Sequence, residues 1–356
     1  MRKILLFLAL MSLSVALSAD FVFDFGPFDP LFPNQATDPR GISSSLHYLH
    51  QLSSTPEGNN ILVKWHDKNP EDPDYFQVVD HRQWSEKFNN HLHLRVGTGV
   101  SILRFSFDDH LKLDATIQAG LNTVFASTGG ADNLGMDGTF FVGAEAEIAN
   151  AIAIRFGLRH YSGHVGDEIM MNAMSYLGTN RFDAVQYTRD NYLEAGLGFV
   201  GSSFINGSLT LMMPNNSSWW DPVFHIPDSI EPLPGECYKD RLPEEWAVRG
   251  DYGASYKAYI VMLDLAMRLP ITEKIALRGG INFKLNQDGM TNHTLTPLDD
   301  KAQWEAETSL LFALDFENAF DNKTLSLEFI YHNGRFPLLN YFWKRSSYIS
   351  AGLSIS

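Results

Sequence analysis

From residue 88 onward the chain is a succession of strand-like runs joined by connections that alternate in length, and few architectures tolerate that pattern. Runs rich in aromatic and β-branched residues cover 89–107, 111–126, 138–149, 151–164, 181–200, 206–214, 252–269, 273–285, 302–317, 323–333 and 342–356. The connections at Asp108–His110, Asn150, Gly201–Ile205, Pro270–Thr272 and Glu317–Asn322 are short; those at 127–137, 165–180, 215–251, 286–301 and 334–341 are long. With a further run at Gly41–Gln51, the count reaches an even dozen. Short turns at one end and long loops at the other predict a transmembrane antiparallel β-barrel of about 12 strands, with periplasmic turns and extracellular loops. A secreted β-sandwich is the rival, and it has no need of such alternation.

Mean hydropathy of −0.15 agrees, because strands with one lipid-facing side average out apolar and polar residues. Arg2-Lys3, the apolar Ile4–Leu17 and the small residues Ala16–Ala19 predict a cleaved secretory signal over 1–19. Residues 20–40, crowded with Phe, Pro and Asp, read as an irregular, exposed periplasmic leader, followed by the barrel over 41–356. A net charge of −15 without a basic cluster argues against nucleic-acid binding, and the lone Cys237 excludes an intramolecular disulfide. The expected partners are outer-membrane lipids and, on the way there, the barrel-assembly machinery.

One strand carries chemistry. Ile152, Ile154, Phe156 and Leu158 put the apolar side chains at even positions, while Arg155 and Arg159 occupy the odd ones. Side chains alternate along a strand, so the even set faces lipid and the arginines face a polar lumen. His160, Ser162 and His164 continue the even, lipid-facing set. If Asn150 is a periplasmic turn, they lie near the outer surface. Residues i and i+2 stand about 6.6–6.8 Å apart, a gap an imidazole spans, so His160 is placed to activate Ser162 as a nucleophile. A third group should orient the imidazole; Asp167, Glu168, Asn172 and Asp183 are the candidates. His164, Arg159, Tyr187 and Arg189 are candidates for substrate binding, and calcium held by Asp167 and Glu168 is the one cofactor the residue types suggest. Zinc shared by His160 and His164 is excluded by their spacing of about 13 Å on a strand.

His160-Tyr161-Ser162 resembles the H-x-S strand motif of two outer-membrane lipid hydrolase families, the phospholipase A barrels and the lipid A deacylase barrels. That resemblance implies ester hydrolysis on the outside of the barrel wall. The chain departs from it at Gly163, where those families carry Asn after the serine. At the position expected for their third residue it has Met174. A wider set of residues is similar to a bacterial outer-membrane barrel family without an assigned activity. The set is Leu31-Phe32-Pro33, Asp38-Pro39-Arg40, Gly99–Phe105, His160-x-Ser162-x-His164-x-Gly166-Asp167-Glu168 and Tyr187–Asp190. The alternative to a hydrolase is a non-catalytic barrel: a narrow channel, or a scaffold for extracellular loops such as an adhesin. In that reading 215–251, with Trp219-Trp220, is a lid or inward plug, and Tyr341, Phe342 and Trp343 belong to an aromatic girdle.

Overall fold

The computed structural model describes residues 21–26, 29–33, 35, 37–55, 60–65, 76–80, 89–108, 110–127, 132–179, 182–184, 187–214, 223–225, 259–287, 304–320, 323–341 and 344–356. The expected signal over 1–19 lies outside them. Twelve long strands close into one antiparallel ring: β2 (Ser44–Thr55), β5 (Asn90–Phe107), β6 (Leu111–Ala126), β7 (Asn133–Ile148), β8 (Ile152–Val165), β10 (Tyr187–Phe199), β11 (Ile205–Pro214), β13 (Ile260–Pro270), β14 (Ile275–Gln287), β15 (Trp304–Phe320), β16 (Lys323–Arg335) and β17 (Arg345–Ile355). The ring is sealed where β17 pairs with β2 and β2 with β5. Closure leaves no unpaired edge, which is what permits a sheet to cross hydrocarbon.

Alternation sorts the side chains as expected. Phe140, Val142, Ile154, Phe156, Leu197, Leu211, Leu265, Phe312, Phe329 and Leu353 form part of an exposed apolar outer face, while Arg155, Arg159, Glu145, Glu194, Lys284, Glu307 and Glu328 are buried inside. A soluble protein does not expose so continuous an apolar surface. The barrel is an outer-membrane protein, its apolar belt set in the bilayer. The β7–β8 turn fixes the register of the key strand. Ala149 and Asn150 adopt left-handed backbone (φ 53° and 52°), and Ala151 N–H donates to Ile148 O at 3.1 Å, the tight turn that suits a hairpin.

Three expectations are corrected. The loop 165–180 contains a helix, α1 (Asp167–Leu177): Gly166 takes the extended cap position, Asp167 and Glu168 complement the helix dipole, and left-handed Gly178 (φ 63°) ends it. Residues 20–40 are neither wholly irregular nor wholly exposed. Phe21–Phe25 forms β1 on the periplasmic half of β5, and Leu31, Phe32, Thr37 and Asp38 are buried inside the barrel. Tyr341 is no girdle residue. It is buried in the outer mouth, donating to Leu134 O at 3.0 Å and packing on Phe336; Phe342 and Trp343 lie outside the described residues.

A small sheet of β3 (Asn60–Trp65), β4 (Phe76–Asp80) and β9 (Phe182–Ala184) belongs to the loop side. Of the 215–251 loop only β12 (Val223–His225) is described, paired with the start of β10; Trp219-Trp220 lie outside the described residues.

Candidate active site

β8 runs outward from its periplasmic turn, so its last residues lie in the outer half of the wall. Ile152, Ile154 and Phe156 face the bilayer and Arg155 and Arg159 the lumen, which leaves His160 and Ser162 on the lipid-facing side. Both are partly exposed there. Tyr161, between them, turns inward and meets Tyr192 edge-on, ring centroids 6.2 Å apart.

His160 has a partner that sequence reasoning did not select. Its Nδ1 hydrogen-bonds Asn191 Oδ1 at 2.7 Å. Asn191 lies directly opposite His160 on β10, on the same outer face, and is itself buried. An amide oxygen only accepts, so the imidazole presents Nδ1–H to it and keeps the Nε2 lone pair free. Asn191 therefore fixes both tautomer and ring plane. Its signal in the sequence is subtle: Leu193, Ala195, Leu197 and Phe199 continue its face, and Asn191 is the polar residue that interrupts it.

Ser162 stands opposite Gly138 of β7. A Cβ at Gly138 would come within 2.8 Å of Ser162 Oγ, so the hydroxyl lies close over the glycine, where a side chain would crowd it. Phe140, two residues on, is opposite His160 and exposed to lipid. The pair thus has the lipid-exposed Phe140 on one side and Asn191 as the polar anchor of the imidazole.

The remaining candidates separate. Asp167 and Glu168 open α1 and are exposed, and the described hydrogen bond of His160 goes to Asn191 rather than to either. Arg159 is removed from any lipid-side role: it faces the lumen and is paired with Glu194, Nε to Oε2 at 2.7 Å. It belongs to a buried chain in which Arg155 bridges Glu145 (2.7 Å) and Glu194 (3.3 Å). His164 lies on the same face as Ser162, partly exposed. The backbone of Arg189 is opposite Ser162 and that of Tyr187 opposite His164; their side chains, and Asp183's, lie outside the described residues. Met174 falls within α1 and Asn172 is partly buried there. Among the described residues no group of three or more His, Cys, Asp or Glu is placed to hold a metal ion, so the expected calcium has no identified cage.

No protein-family model matches the chain, and no curated protein matches it in sequence. In structure it is similar to outer membrane phospholipase A from Escherichia coli (9% identity, 88% of this chain and 90% of that one, TM-score 0.46). It is also similar to the Salmonella typhi outer membrane phospholipase dimer with bound calcium (10%, 88% and 91%, 0.44) and to a Pseudomonas aeruginosa FadL homologue (9%, 92% and 92%, 0.37). These neighbours are barrels with different names and roles. Likeness at this level carries no activity over to this chain, so the chemistry is argued from its own residues.

Proposed function

We propose that this barrel is a lipid hydrolase that cleaves acyl esters of phospholipid or lipid A at the outer leaflet. Ser162 is the nucleophile, His160 the base and Asn191 the group that orients it. The observation that carries the reading is the His160–Asn191 hydrogen bond on the lipid-facing side of the wall, two residues from a serine whose hydroxyl lies over a glycine. A histidine and a buried amide facing hydrocarbon are costly there unless they serve each other and something more.

The steps follow from the geometry. Nε2 accepts the Ser162 proton as Oγ attacks the ester carbonyl. Asn191 holds the resulting imidazolium through Nδ1–H, supporting its charge less strongly than a carboxylate would. The proton passes to the departing alcohol, and a water repeats the sequence on the acyl-serine, releasing a fatty acid and restoring both side chains. No hydrogen bond joins His160 to Ser162 among the described residues; it forms as substrate closes the site, since such bonds are commonly loose before substrate binds.

The test is to produce wild type and Ser162→Ala in a barrel-competent host and compare acyl-chain composition of phospholipid and lipid A by mass spectrometry. Deacylated species present only with wild type support the reading. Identical profiles from two folded barrels end it.

A further inference from the structure

The lumen holds a feature with no part in the outer site. The described residues 29–33, 35 and 37–43 belong to a loop inside the barrel, which both neighbouring strands tie to its periplasmic half. Before it, β1 pairs with Leu103–Phe107 at the inner end of β5; after it, β2 begins at Ser44 opposite Ile355, near the chain's last residue. The loop is held by its own charges. Asp38 receives two bonds from Lys284 Nζ, each 2.8 Å, and Arg40 reaches Glu307 at 2.7 Å. Phe32 N–H donates to Glu145 at 2.9 Å, its ring lies 4.3 Å from the Arg155 guanidinium carbon, and Gln35 Nε2 donates to Thr210 Oγ1 at 2.8 Å.

The wall is shaped to receive it. Cβ atoms at lumen-facing Gly196, Gly198 and Gly99 would meet Phe32, Pro33 and Pro30 at 2.6, 2.7 and 2.8 Å. One at Gly280 would overlap Thr37, and one at Gly97 would press Ile42 at 2.9 Å. Glycines on three separated strands thus leave room for one inserted segment. Below the loop lies a cavity of about 800 Å³, bordered by Val200, Glu317, Lys323 and Ser356 at the periplasmic rim and by Leu31, Phe32 and Thr37 of the loop.

We propose that the segment described over 29–33, 35 and 37–43 is a stopper inserted from the periplasm, and that its withdrawal into the cavity beneath admits small polar solutes from the periplasm to the middle of the lumen. This function is separate from lipid hydrolysis and does not depend on it. Because both ends are fixed on the periplasmic side, the loop leaves as it entered, with no threading. What it uncovers is polar: Ser208, Thr210, Lys284 and Glu307 line the space.

The test is thiol accessibility in the full chain with Cys237→Ser, reconstituted and treated from the periplasmic side with a small charged thiosulfonate. Thr210→Cys reports on the space beneath Gln35, and Asn206→Cys, on the cavity wall, is the always-accessible reference. The expected rate at Thr210→Cys is roughly a hundredfold or more below the reference, because labelling waits for opening. Asp38→Asn with Arg40→Gln raises it about tenfold or more, since the seated loop then loses both of its charged ties to the wall and leaves Lys284 without its carboxylate partner. Oxidising a Thr37→Cys/Gly280→Cys pair, whose side chains meet, suppresses labelling at Thr210→Cys, and reduction restores it. Two results overturn the proposal: an unchanged rate in a folded charge variant, or labelling as fast with the disulfide closed as open. Should the charge variant not fold, the disulfide arm decides alone.

Discussion

Asn191 shows how little chemistry is needed to convert a wall residue into an orienting group. Removing its amide leaves His160 free to rotate on a lipid-facing surface, so Asn191→Ala should lower turnover on the order of ten- to a hundredfold with the barrel intact. The check is turnover in mixed detergent–lipid micelles alongside the heat-dependent gel shift of a folded barrel. Gly138 acts by what it lacks. Gly138→Val should put a branched side chain against Ser162 Oγ and abolish turnover without changing the gel shift, whereas Ala should only reduce it. The lipid-facing His160/Ser162 pair was legible because a strand has period two, and counting from Ile152 suffices. Asn191 was not, because it lies across a strand pair whose register passes through α1 and β9. No count along 160–177 reaches it. Once Ser162 is known to stand opposite Arg189, Asn191 follows at once.

Elements behave as braced pairs. Behind the outer site, β7, β8 and β10 are tied together inside the barrel by Glu145, Arg155, Glu194 and Arg159. Glu194→Leu would leave two buried guanidinium groups short of their counter-charge, a cost of about 3 kcal/mol or more, read as a lower midpoint in thermal unfolding. The N-terminal loop is braced in the same manner. Burial alone would raise the Asp38 carboxyl, but Lys284 and Arg40 outweigh it and hold it below its ordinary value. A depressed folded-state value means the stabilisation is complete above the unfolded value of about 3.8 and is lost as pH falls through the lower folded one. Thermal stability should therefore owe nothing to Asp38 titration between pH 7 and pH 5, and the Asp38 contribution should decline only below about pH 4. Comparing wild type with Asp38→Asn across that range checks the sign: the gap between them stays constant above pH 5 and closes in acid. The sequence could not place this loop, because its partners are single polar side chains and glycines dispersed over seven strands. A Phe- and Pro-rich segment has the same composition whether it lies in water or in a lumen.

At the scale of the molecule, the barrel separates two chemistries by one sheet thickness. Its outer face is apolar with a local Ser–His–Asn cluster, and its interior is a dense set of ion pairs around an inserted loop. Alternation gave the sheet, its orientation and the strand count, since turn length and side-chain period act together on every hairpin. The insertion of Leu31, Phe32, Thr37 and Asp38 into the lumen depends on tertiary contacts that no strand pattern encodes. The central claim, a serine activated on the lipid side, is tested most directly by covalent capture. The folded barrel in lipid micelles is treated with a lipophilic fluorophosphonate, and the modified peptide is identified by mass spectrometry. A single adduct on Ser162, absent in His160→Ala and slowed in Asn191→Ala, is the result expected here. An unmodified Ser162, or one labelled equally without His160, would contradict it.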